Sequence, residues 1–548
     1  MALTADIANH VDAAPAADDL RPRAGAIFAD YERYLRKAEA LHAAGRLEAA
    51  AVYAAIAAHM GLRPHPGFFA SPRLERLLTD IGRRTAEPTN YTRPTDPNRP
   101  IKRILHVCTT VATVGGLRNM LGHWIRSDST RTHSLALTQQ RGPVIAPLAE
   151  AFTSSGGSIH FLNRTMGSQI AWARQLARIS RDYDAVVLHT YSQDPLPLIA
   201  FADGEKRPPV LLLNHGDHLF WLGSSVSDVV INLRDAAQDL SITRRGIAPP
   251  RNVMVPTIVA PSVRTRSRAD AKRALNLDPD TLLLFSAARG MKYRSVDGVS
   301  FADTHVELLK KHPKAVLWVL GVGDPEDWRE ASAAVGGRIK PFAETPDTKA
   351  FFEAADIYVD SFPFVSSTSM MEAAGLGTPL VSRFYGAKEA RIFAINHPGI
   401  DKPTMHGATE AEYIAHLDRL IRDPALRESA GETARTSVLH YHTPPSWLDF
   451  LETAYERAAA LPPIDSSSVF GANEVEAFSY GDPDRGMYEV FGFDDSQAML
   501  KAYPGMLPLG DRIALVRQLR RDGVIDSWGE TLRQLLPEWL VRVLKDGR

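Results

Sequence analysis

The segment DSFPFVSSTSMMEAAGLGTPLVSR (residues 360–383) contains the end of a strand, a polar loop, a helix and the next strand. The helix is predicted to begin near Ser367, and PLVSR (379–383) is the strand that follows it. Strand, helix and strand in succession form the repeating unit of a parallel α/β sheet. This segment therefore predicts the fold class, and it also predicts a polar helix start at the carboxyl end of a strand.

Hydroxyl groups are concentrated at the start of this helix. They belong to Ser366, Ser367, Thr368 and Ser369. Hydroxyls and backbone N–H groups at the positive end of a helix suit a phosphate or diphosphate. Glu372, one turn further along, is positioned to accept hydrogen bonds from ribose hydroxyls. An ordinary capped helix is the alternative, because Ser and Thr are also good N-cap residues.

The alternation of strands and helices extends over two blocks of similar length. The first block has strands predicted at 101–109, 133–138, 158–162, 185–191, 209–215 and 228–233. The second block has strands predicted at 281–287, 315–321, 356–361 and 379–383. Helical patterns separate most of these strands, which predicts two tandem, doubly wound Rossmann-like domains facing a cleft. Ligands are expected at the carboxyl ends of the strands.

The remaining segments give the predicted domain limits. They are a disordered tail (1–23), a helical, tetratricopeptide-like region (24–84), a linker (85–100), two Rossmann-like domains (101–257 and 258–462) and a C-terminal extension with amphipathic helices (463–548). The helical region contains one helix–turn–helix unit, not an array of repeats. A short hinge is expected near Val255–Val263.

Composition excludes several classes of protein. The 548 residues carry 63 Lys and Arg against 64 Asp and Glu, a net charge of -1 that argues against a nucleic-acid-coating protein. The one cysteine, Cys108, excludes an intramolecular disulfide and a Cys-based metal site. The N-terminus lacks the pattern of a secretory signal, and no apolar run reaches membrane-spanning length. We therefore expect a soluble, cytoplasmic protein that does not bind nucleic acid.

Two cations follow the first strand of the second domain. Arg289 and Lys292 lie in FSAARGMKYRS (285–295), on a short loop directed toward the predicted cleft. Two fixed positive charges facing a diphosphate would stabilise a departing nucleoside diphosphate without a metal ion. The alternative is that both are ordinary surface cations after a strand.

A polar cluster ends a strand of the first domain. The sequence NHGDHLFWLG (214–223) contains His215 and Asp217, the candidate catalytic residues, together with His218. Histidine is the natural general base at neutral pH. A metal site and a satisfied core histidine are the alternatives, but His-x-x-His is too short for the helical zinc motif.

Other matches to known motifs carry little information. His189 and Asp194 end a neighbouring strand and are secondary candidates, for which a structural use is favoured. The D-x-D matches at 278–280 and 482–484 lie in turns rich in Asp and Pro, so neither predicts a metal site. Gly321-Val322-Gly323 lacks the third glycine of a dinucleotide-binding loop. We expect no cofactor.

The segment 360–383 resembles the nucleotide-binding half of glycosyltransferases with two Rossmann domains, the GT-B type. Its Pro363, Ser/Thr cluster, Glu372, Gly375, Gly377 and Pro379 are similar to the motif of O-linked N-acetylglucosamine transferases and bacterial cytoplasmic N-glycosyltransferases. Elsewhere, GGLRNML (115–121) and the run from 228 to 259 resemble the glycogen-synthase-related, group 1 (family 4) enzymes. The resemblance covers about residues 101 to 460.

The resemblance implies roles for particular positions. The first Rossmann-like domain would bind the acceptor and the second the nucleotide sugar, with Gly115 and Gly116 approaching the donor through their backbone. A basic residue or pair at the position of Arg289 and Lys292 would neutralise the diphosphate. One departure matters: the retaining group 1 enzymes have Glu-x7-Glu, whose second Glu matches Glu372, whereas the first falls on Phe364. The stereochemical outcome therefore stays open.

These observations predict a metal-independent glycosyltransferase that uses a nucleoside-diphosphate sugar, with UDP implied by the resemblance only. The acceptor, whether glycan, lipid-linked saccharide or protein, is not defined. The alternatives are a sugar-nucleotide epimerase or phosphorylase of the same fold, and a non-catalytic interaction protein, which Phe364 favours. The helical termini are a possible peripheral contact to a membrane or a protein, since residues 501–548 carry nine basic and six acidic groups.

Overall fold

The computed structural model describes residues 20–62, 64–112, 116–296, 298–384, 388–465, 482–492 and 497–546. Most of the predicted tail (1–23) lies outside the described residues, and the first helix begins at Leu20, four residues before the predicted helical region.

Three helices form the N-terminal region: α1 (Leu20–Ala43), α2 (Leu47–Leu62) and α3 (Pro72–Thr85). Gly45 turns the chain between α1 and α2 with a φ of 73°, a left-handed conformation that glycine adopts without strain. Helix α2 is buried along most of its length, because its alanines let other helices approach on every side. The predicted helix–turn–helix is present and forms part of a larger core.

The first sheet has seven strands within the described residues, all parallel, in the order β3-β2-β1-β4-β5-β6-β7. The strands are β1 (Arg103–Cys108), β2 (Thr132–Leu137), β3 (Ile159–Phe161), β4 (Ala185–His189), β5 (Val210–Asn214), β6 (Val229–Asn232) and β7 (Asn252–Met254). The helices of this domain are α4 (Gly116–Ser127), α5 (Ala146–Ser154), α6 (Gln169–Ser180), α7 (Leu196–Ala200) and α8 (Asp235–Arg245).

The second sheet has six parallel strands among the described residues, in the order β10-β9-β8-β11-β12-β13. They are β8 (Leu282–Ala287), β9 (Ala315–Leu320), β10 (Ile339–Phe342), β11 (Ile357–Val359), β12 (Leu380–Arg383) and β13 (Met405–Gly407). The helices are α9 (Arg268–Ala274), α10 (Phe301–Thr304), α11 (Val306–Lys311), α12 (Arg329–Ala334), α13 (Lys349–Ala354), α14 (Ser367–Gly375), α15 (Glu410–Arg422), α16 (Pro424–His442) and α17 (Ser446–Ala460).

These two sheets confirm the predicted fold class, a pair of tandem Rossmann-like domains of the GT-B type with helical additions at both ends. Strands β7, β10 and β13 were not predicted from the sequence. Each has only three or four residues at or next to a sheet edge, and β10 contains Pro341, so their apolar runs are too short to be recognised.

Helix α17 does not follow the domain limit drawn from the sequence. Its residues fall within 258–462, but Trp447 and Tyr455 pack in the core of the first domain, where Tyr455 accepts a hydrogen bond from Trp124 Nε1 at 3.2 Å. The chain therefore returns to the first domain after completing the second. Periodicity alone could not predict this return, because it locates a helix without locating its packing partner.

The C-terminal segment ends in α18 (Asp482–Phe491), α19 (Leu509–Arg521), α20 (Trp528–Gln534) and α21 (Glu538–Asp546). Leu515 and Leu519 of α19 join the core of the N-terminal helices, and Arg46 is paired with Asp511 at 2.5 Å. The two ends of the chain thus pack together. Searching the described helices finds none that is long and apolar enough to cross a membrane.

The two Rossmann-like domains meet through loops at the carboxyl ends of their strands. The His218 ring, after β5, lies 5.0 Å from the Phe364 ring, after β11. Arg234, after β6, donates to the Ala394 carbonyl of the second domain at 3.2 Å. The loops predicted to face the cleft therefore contact each other across the interface between the two domains.

Candidate functional site

Lys292 lies half-buried on the second-domain side of this interface. It belongs to the helical turn Gly290–Tyr293 that follows β8. Its Nζ donates to the Val365 carbonyl at 2.6 Å and lies 4.4 Å from the centre of the Phe364 ring. Burial lowers the pKa of Lys292 to about 8. The ammonium is therefore still charged at neutral pH, although it loses its proton far more readily than a surface lysine.

Arg289 begins the same turn but is exposed. Its positive charge contributes to lowering the pKa of Lys292, so the two cations lie close together, as the sequence predicts. Within the part of the chain that the structure describes, its guanidinium has no hydrogen bond or ion pair. An exposed arginine beside a half-buried lysine has donors available for an anion.

Asp360 organises the loop that leads into α14. Its Oδ1 accepts hydrogen bonds from Ser366 N at 2.8 Å and Ser366 Oγ at 2.7 Å, and its Oδ2 accepts one from Ser382 Oγ at 3.1 Å. Ser366 therefore differs from the expectation that its hydroxyl contacts a phosphate, because that hydroxyl is already used inside the protein. Its role is to hold the start of the helix in place.

The other polar residues at the start of α14 are less engaged in hydrogen bonds within the described protein than Ser366 is. Ser367 and Ser369 are half-buried and Thr368 is exposed, although Ser369 also reaches the Tyr358 hydroxyl. Glu372 is half-buried, and burial raises its pKa to about 7. Among the described residues, no charged neighbour contributes to that shift, and none compensates the half-buried carboxyl group.

His215 directly follows β5 on the first-domain side. Its Nδ1 lies 3.2 Å from the Leu213 carbonyl, which can only accept a hydrogen bond. Nδ1 therefore carries the hydrogen, and Nε2 of the neutral ring has a lone pair. Burial lowers the pKa of His215, which keeps the ring neutral. A neutral imidazole with a defined lone pair can act as a general base.

Asp217 is not available as a second base. Its carboxylate accepts hydrogen bonds from Arg234 Nε at 2.5 Å and Arg234 Nη2 at 2.8 Å, and His218 Nδ1 lies 3.1 Å away. Arg234 holds the pKa of Asp217 below its ordinary value despite burial. A carboxylate this strongly paired does not take up a proton near neutral pH. Its role is to hold Arg234 and His218.

Phe364 contacts both sides of the interface. In addition to Lys292 and His218, its ring lies 5.6 Å from the Phe491 ring of α18. His218 stacks on the same Phe491, with 5.3 Å between ring centres. The position where retaining enzymes have their first glutamate is therefore occupied by an aromatic contact that joins three parts of the chain.

The predicted glycine pair is only partly described. Gly115 lies outside the described residues. Gly116 begins α4 and is exposed, and no atom of the described residues lies within 4 Å of the position that its Cβ would occupy. These residues therefore leave room for a side chain at 116.

Arg234 and His397 belong to this cluster but were not singled out from the sequence. His397 is buried, its Nδ1 has no hydrogen-bond partner among the described residues, and its pKa is lowered mainly by burial and next by Arg234. The position of Arg234 after the strand DVVINL and before a helix was a signal that could have been used. His397 lies in an irregular segment, where no comparable pattern exists.

The N-terminal helices reach the site through Glu75 of α3. Its buried carboxylate accepts hydrogen bonds from the N–H groups of Gly223, Ser224 and Ser225 at 2.7, 2.9 and 2.6 Å. These residues end the loop that starts at His215. The helical region therefore fixes the far end of the loop that carries the candidate base.

Comparison with known proteins gives one curated relative of significant similarity. The chain is 23% identical to the D-inositol 3-phosphate glycosyltransferase of Thermobifida fusca, over 74% of this chain and 93% of that protein. No protein-family model matches the chain. The predicted resemblance to glycosyltransferases is confirmed by this relative.

Two solved structures are similar to this chain. Anabaena HepE in complex with UDP and glucose is 14% identical, with a TM-score of 0.47, over 66% of this chain and 100% of that chain. A variant O-GlcNAc transferase from Thermobaculum terrenum is 19% identical, with a TM-score of 0.45, over 79% of this chain and 82% of that chain.

Proposed function

We propose that this protein is a glycosyltransferase that moves a sugar from a nucleoside-diphosphate sugar, most simply a UDP-sugar, to an acceptor hydroxyl or amide. The observation that carries the proposal is the pair of neighbouring cations, exposed Arg289 and half-buried Lys292, beside the start of α14. The relative from Thermobifida fusca, named as a glycosyltransferase, supports the same class of reaction.

The donor's diphosphate would bind between these cations and the N-terminus of α14. Arg289 would donate to phosphate oxygens, and Lys292 would supply charge from beneath the loop. Charge-assisted hydrogen bonds are strongest where water is excluded, so they would stabilise the negative charge that develops on the leaving nucleoside diphosphate. These two residues provide that stabilisation without a metal ion, which is why we propose a metal-independent reaction.

Glu372 would bind the ribose. Its carboxyl group is half-buried, and its pKa near 7 is raised by burial with no charged partner. Two vicinal hydroxyls would donate to the carboxylate and offset the cost of burying its charge. Nucleotide binding should therefore lower the pKa of Glu372.

His215 would act on the acceptor side. The Leu213 carbonyl holds its Nδ1–H, so the Nε2 lone pair could accept a proton from the acceptor group. His215→Ala should lower the rate of transfer by roughly 10²-fold or more, a typical loss for a general base, while UDP affinity stays near wild type. His440→Ala, an exposed histidine on α16, is the control. Equal losses of transfer and of UDP affinity would place His215 on the donor side instead.

Calorimetry in the presence of EDTA tests the donor site. We expect UDP to bind the wild-type protein, and Arg289→Ala to weaken binding by about tenfold or more, the value of a charged hydrogen bond. Arg329→Ala removes an exposed arginine elsewhere in the second domain and should leave binding unchanged. Absence of binding for UDP, GDP and ADP alike would overturn the proposal. Turnover of a nucleotide sugar without any acceptor would favour an epimerase or phosphorylase.

A further inference from the structure

Three histidines cross the first sheet on one face. His133 lies near the start of β2, His106 in the middle of β1 and His189 at the end of β4. The parallel register pairs Ile104 with His133 and Cys108 with His189. Since every second residue of a strand faces the same way, the three imidazoles form a diagonal from the amino edge of the sheet to its carboxyl edge.

The imidazoles are hydrogen-bonded to one another in series. His189 Nε2 lies 2.9 Å from His106 Nδ1, and His106 Nε2 lies 2.9 Å from His133 Nδ1. His133 Nε2 then lies 3.1 Å from the backbone carbonyl oxygen of Asp128. The three side chains are at most 1% exposed. The Trp124 ring packs edge-on against His106 and His189.

The Asp128 carbonyl fixes the direction of every bond in this chain. A carbonyl oxygen only accepts, so His133 Nε2 carries a hydrogen and the neutral His133 has a lone pair on Nδ1. His106 Nε2 must then donate to that lone pair, which leaves a lone pair on His106 Nδ1. His189 Nε2 donates to it in turn. Each ring is therefore the Nε2–H tautomer, and the series ends in a lone pair on His189 Nδ1.

This last lone pair has no partner within the part of the chain that the structure describes. His189 Nδ1 is buried and lacks a hydrogen bond among the described residues. A buried acceptor without a donor is costly, which points to a ligand or solvent hydrogen at this position. His189 ends β4 at the carboxyl edge of the sheet, and its pKa is lowered mainly by burial and next by the neighbouring His215.

Reversing the series would require an extra proton. Only a doubly protonated His133 could donate from Nδ1 while keeping its bond to the Asp128 carbonyl. Burial lowers the pKa of His133 and holds that of His106 well below its ordinary value. Arg131 beside Asp128 further disfavours the charged form of His133, although the Asp128 carboxylate favours it. While the three rings are neutral, the hydrogen bonds between them can therefore run in only one direction, from His189 to His106 to His133.

We propose that His133 and His106 are positioning residues that lock His189 as the Nε2–H tautomer, so that its Nδ1 accepts a hydrogen bond from a substrate hydroxyl or a bound water beside His215. The proposal rests on the proposed function for the identity of the substrate. The lock itself depends only on the hydrogen-bonded series. Without this hydrogen-bonded series, His189 could adopt the Nδ1–H tautomer. It would then present a donor at the position where an acceptor is needed.

Nitrogen-15 NMR of the full-length protein, labelled at histidine, reads the tautomers directly. At pH 7 we expect His189, His106 and His133 to be neutral, with hydrogen on Nε2 and a bare Nδ1. His305 is an internal control of opposite sense, because its Nδ1 lies 2.6 Å from the Phe301 carbonyl and must carry the hydrogen. Single His→Gln variants assign the signals. A wild-type His189 that is charged or carries hydrogen on Nδ1 would overturn the proposal.

Two variants of His106 separate the lock from simple packing. His106→Leu removes the acceptor for His189 and should lower kcat/KM for transfer by about tenfold, the value of one hydrogen bond, with UDP affinity unchanged. His106→Gln keeps one acceptor and one donor in series, so it should retain at least half of the wild-type value. A folded His106→Leu variant with wild-type kcat/KM and a mixed His189 tautomer would contradict the proposed role.

The outcomes distinguish this proposal from the proposed function. If no nucleotide sugar is turned over while the three Nε2–H tautomers are present, the proposed function fails and the tautomer lock stands. If transfer occurs while His189 has the other tautomer, the lock alone fails. If His106→Leu does not fold, the proposal is tested by the tautomers in the wild-type spectrum and by the kcat/KM of the His106→Gln variant.

Discussion

The two sides of the candidate site differ in which charges and hydrogen-bonding groups lack a partner among the described residues. On the second-domain side, Arg289 has no partner among the described residues and Glu372 has no charge beside it. On the first-domain side, Asp217 and Arg234 satisfy each other, and the available groups are the imidazole lone pairs of His215 and His189. The second-domain side presents positive charge together with the Glu372 carboxyl group, whereas the first-domain side presents neutral acceptors.

Under the proposed function, this difference in charge and hydrogen-bonding groups suits a different ligand on each side. An arginine without a partner among the described residues, next to a second cation and a helix N-terminus, suits a diphosphate, which is anionic and accepts hydrogen bonds. Neutral acceptors suit hydroxyl groups, which donate them. A buried ion pair such as Asp217 with Arg234 serves to fix the geometry between the two sides, and the contact of Arg234 with the Ala394 carbonyl extends that function across the interface.

Breaking the buried ion pair should have the largest effect. Arg234→Met leaves the Asp217 carboxylate buried without its partner, and we expect the free energy of unfolding to fall by about 3–5 kcal/mol. Urea unfolding measures the change. The double variant Asp217→Leu/Arg234→Met removes both charges and should recover a large part of the loss. An Arg234→Met protein as stable as wild type would show that the pair contributes nothing to holding the two sides.

Lys292→Met should affect ligand binding more than folding. UDP affinity should fall by about 10- to 100-fold, which corresponds to the roughly 1.5–3 kcal/mol of a charged hydrogen bond. The free energy of unfolding should change little, because the variant removes the cost of burying an ammonium together with its bond to Val365. Calorimetry and urea unfolding on the same sample give both values. A large loss of stability with unchanged UDP affinity would make Lys292 a structural residue.

Glu372→Gln should stabilise the protein without ligand at high pH. The folded-state pKa of about 7 exceeds the ordinary value of 4.5, so the folded protein binds more protons between these values and loses stability as pH rises through them. We expect the variant to be more stable than wild type by about 1 kcal/mol or more at pH 8, since one pKa unit corresponds to about 1.4 kcal/mol.

The same comparison at pH 4.5 should show almost no difference between Glu372→Gln and wild type. Glu428→Gln, an exposed position on α16, should show none at either pH. UDP affinity of Glu372→Gln should fall, because an amide is a weaker acceptor for ribose hydroxyls. A stability difference independent of pH would mean that Glu372 is not the titrating group.

The pH dependence of UDP affinity should be the smallest effect. Burial lowers the pKa of Lys292 to about 8, so the lysine is protonated at pH 7 and loses its charge as pH rises. Affinity should fall by about threefold to fourfold between pH 7 and pH 8.5, following the charged fraction. Lys292→Arg keeps its charge throughout this range and should flatten the profile. The same slope in this variant would assign the titration to another group.

Several features of the site could be predicted from local sequence. Arg289 and Lys292 are close in sequence and follow a clear strand, so their proximity in the folded protein needs only a short turn. The start of α14 was likewise predicted at Ser367, since hydroxyl residues directly precede an apolar helical pattern. The commitment of Ser366 to Asp360 was not predictable, because a helix-capping pattern does not specify which hydroxyl faces inward.

The amino-acid sequence by itself determined the alternation of strands and helices, the two Rossmann-like domains and the candidate residues at the strand ends, because these depend on patterns within about thirty residues. Tertiary structure alone decided that Asp217 is paired with Arg234, that α17 returns to the first domain, and that His133, His106 and His189 are bonded in series. Each of these results joins residues from separate strands or helices. Their side chains meet only when sheet register and burial bring them together, and burial then sets which nitrogen or oxygen has a lone pair to offer.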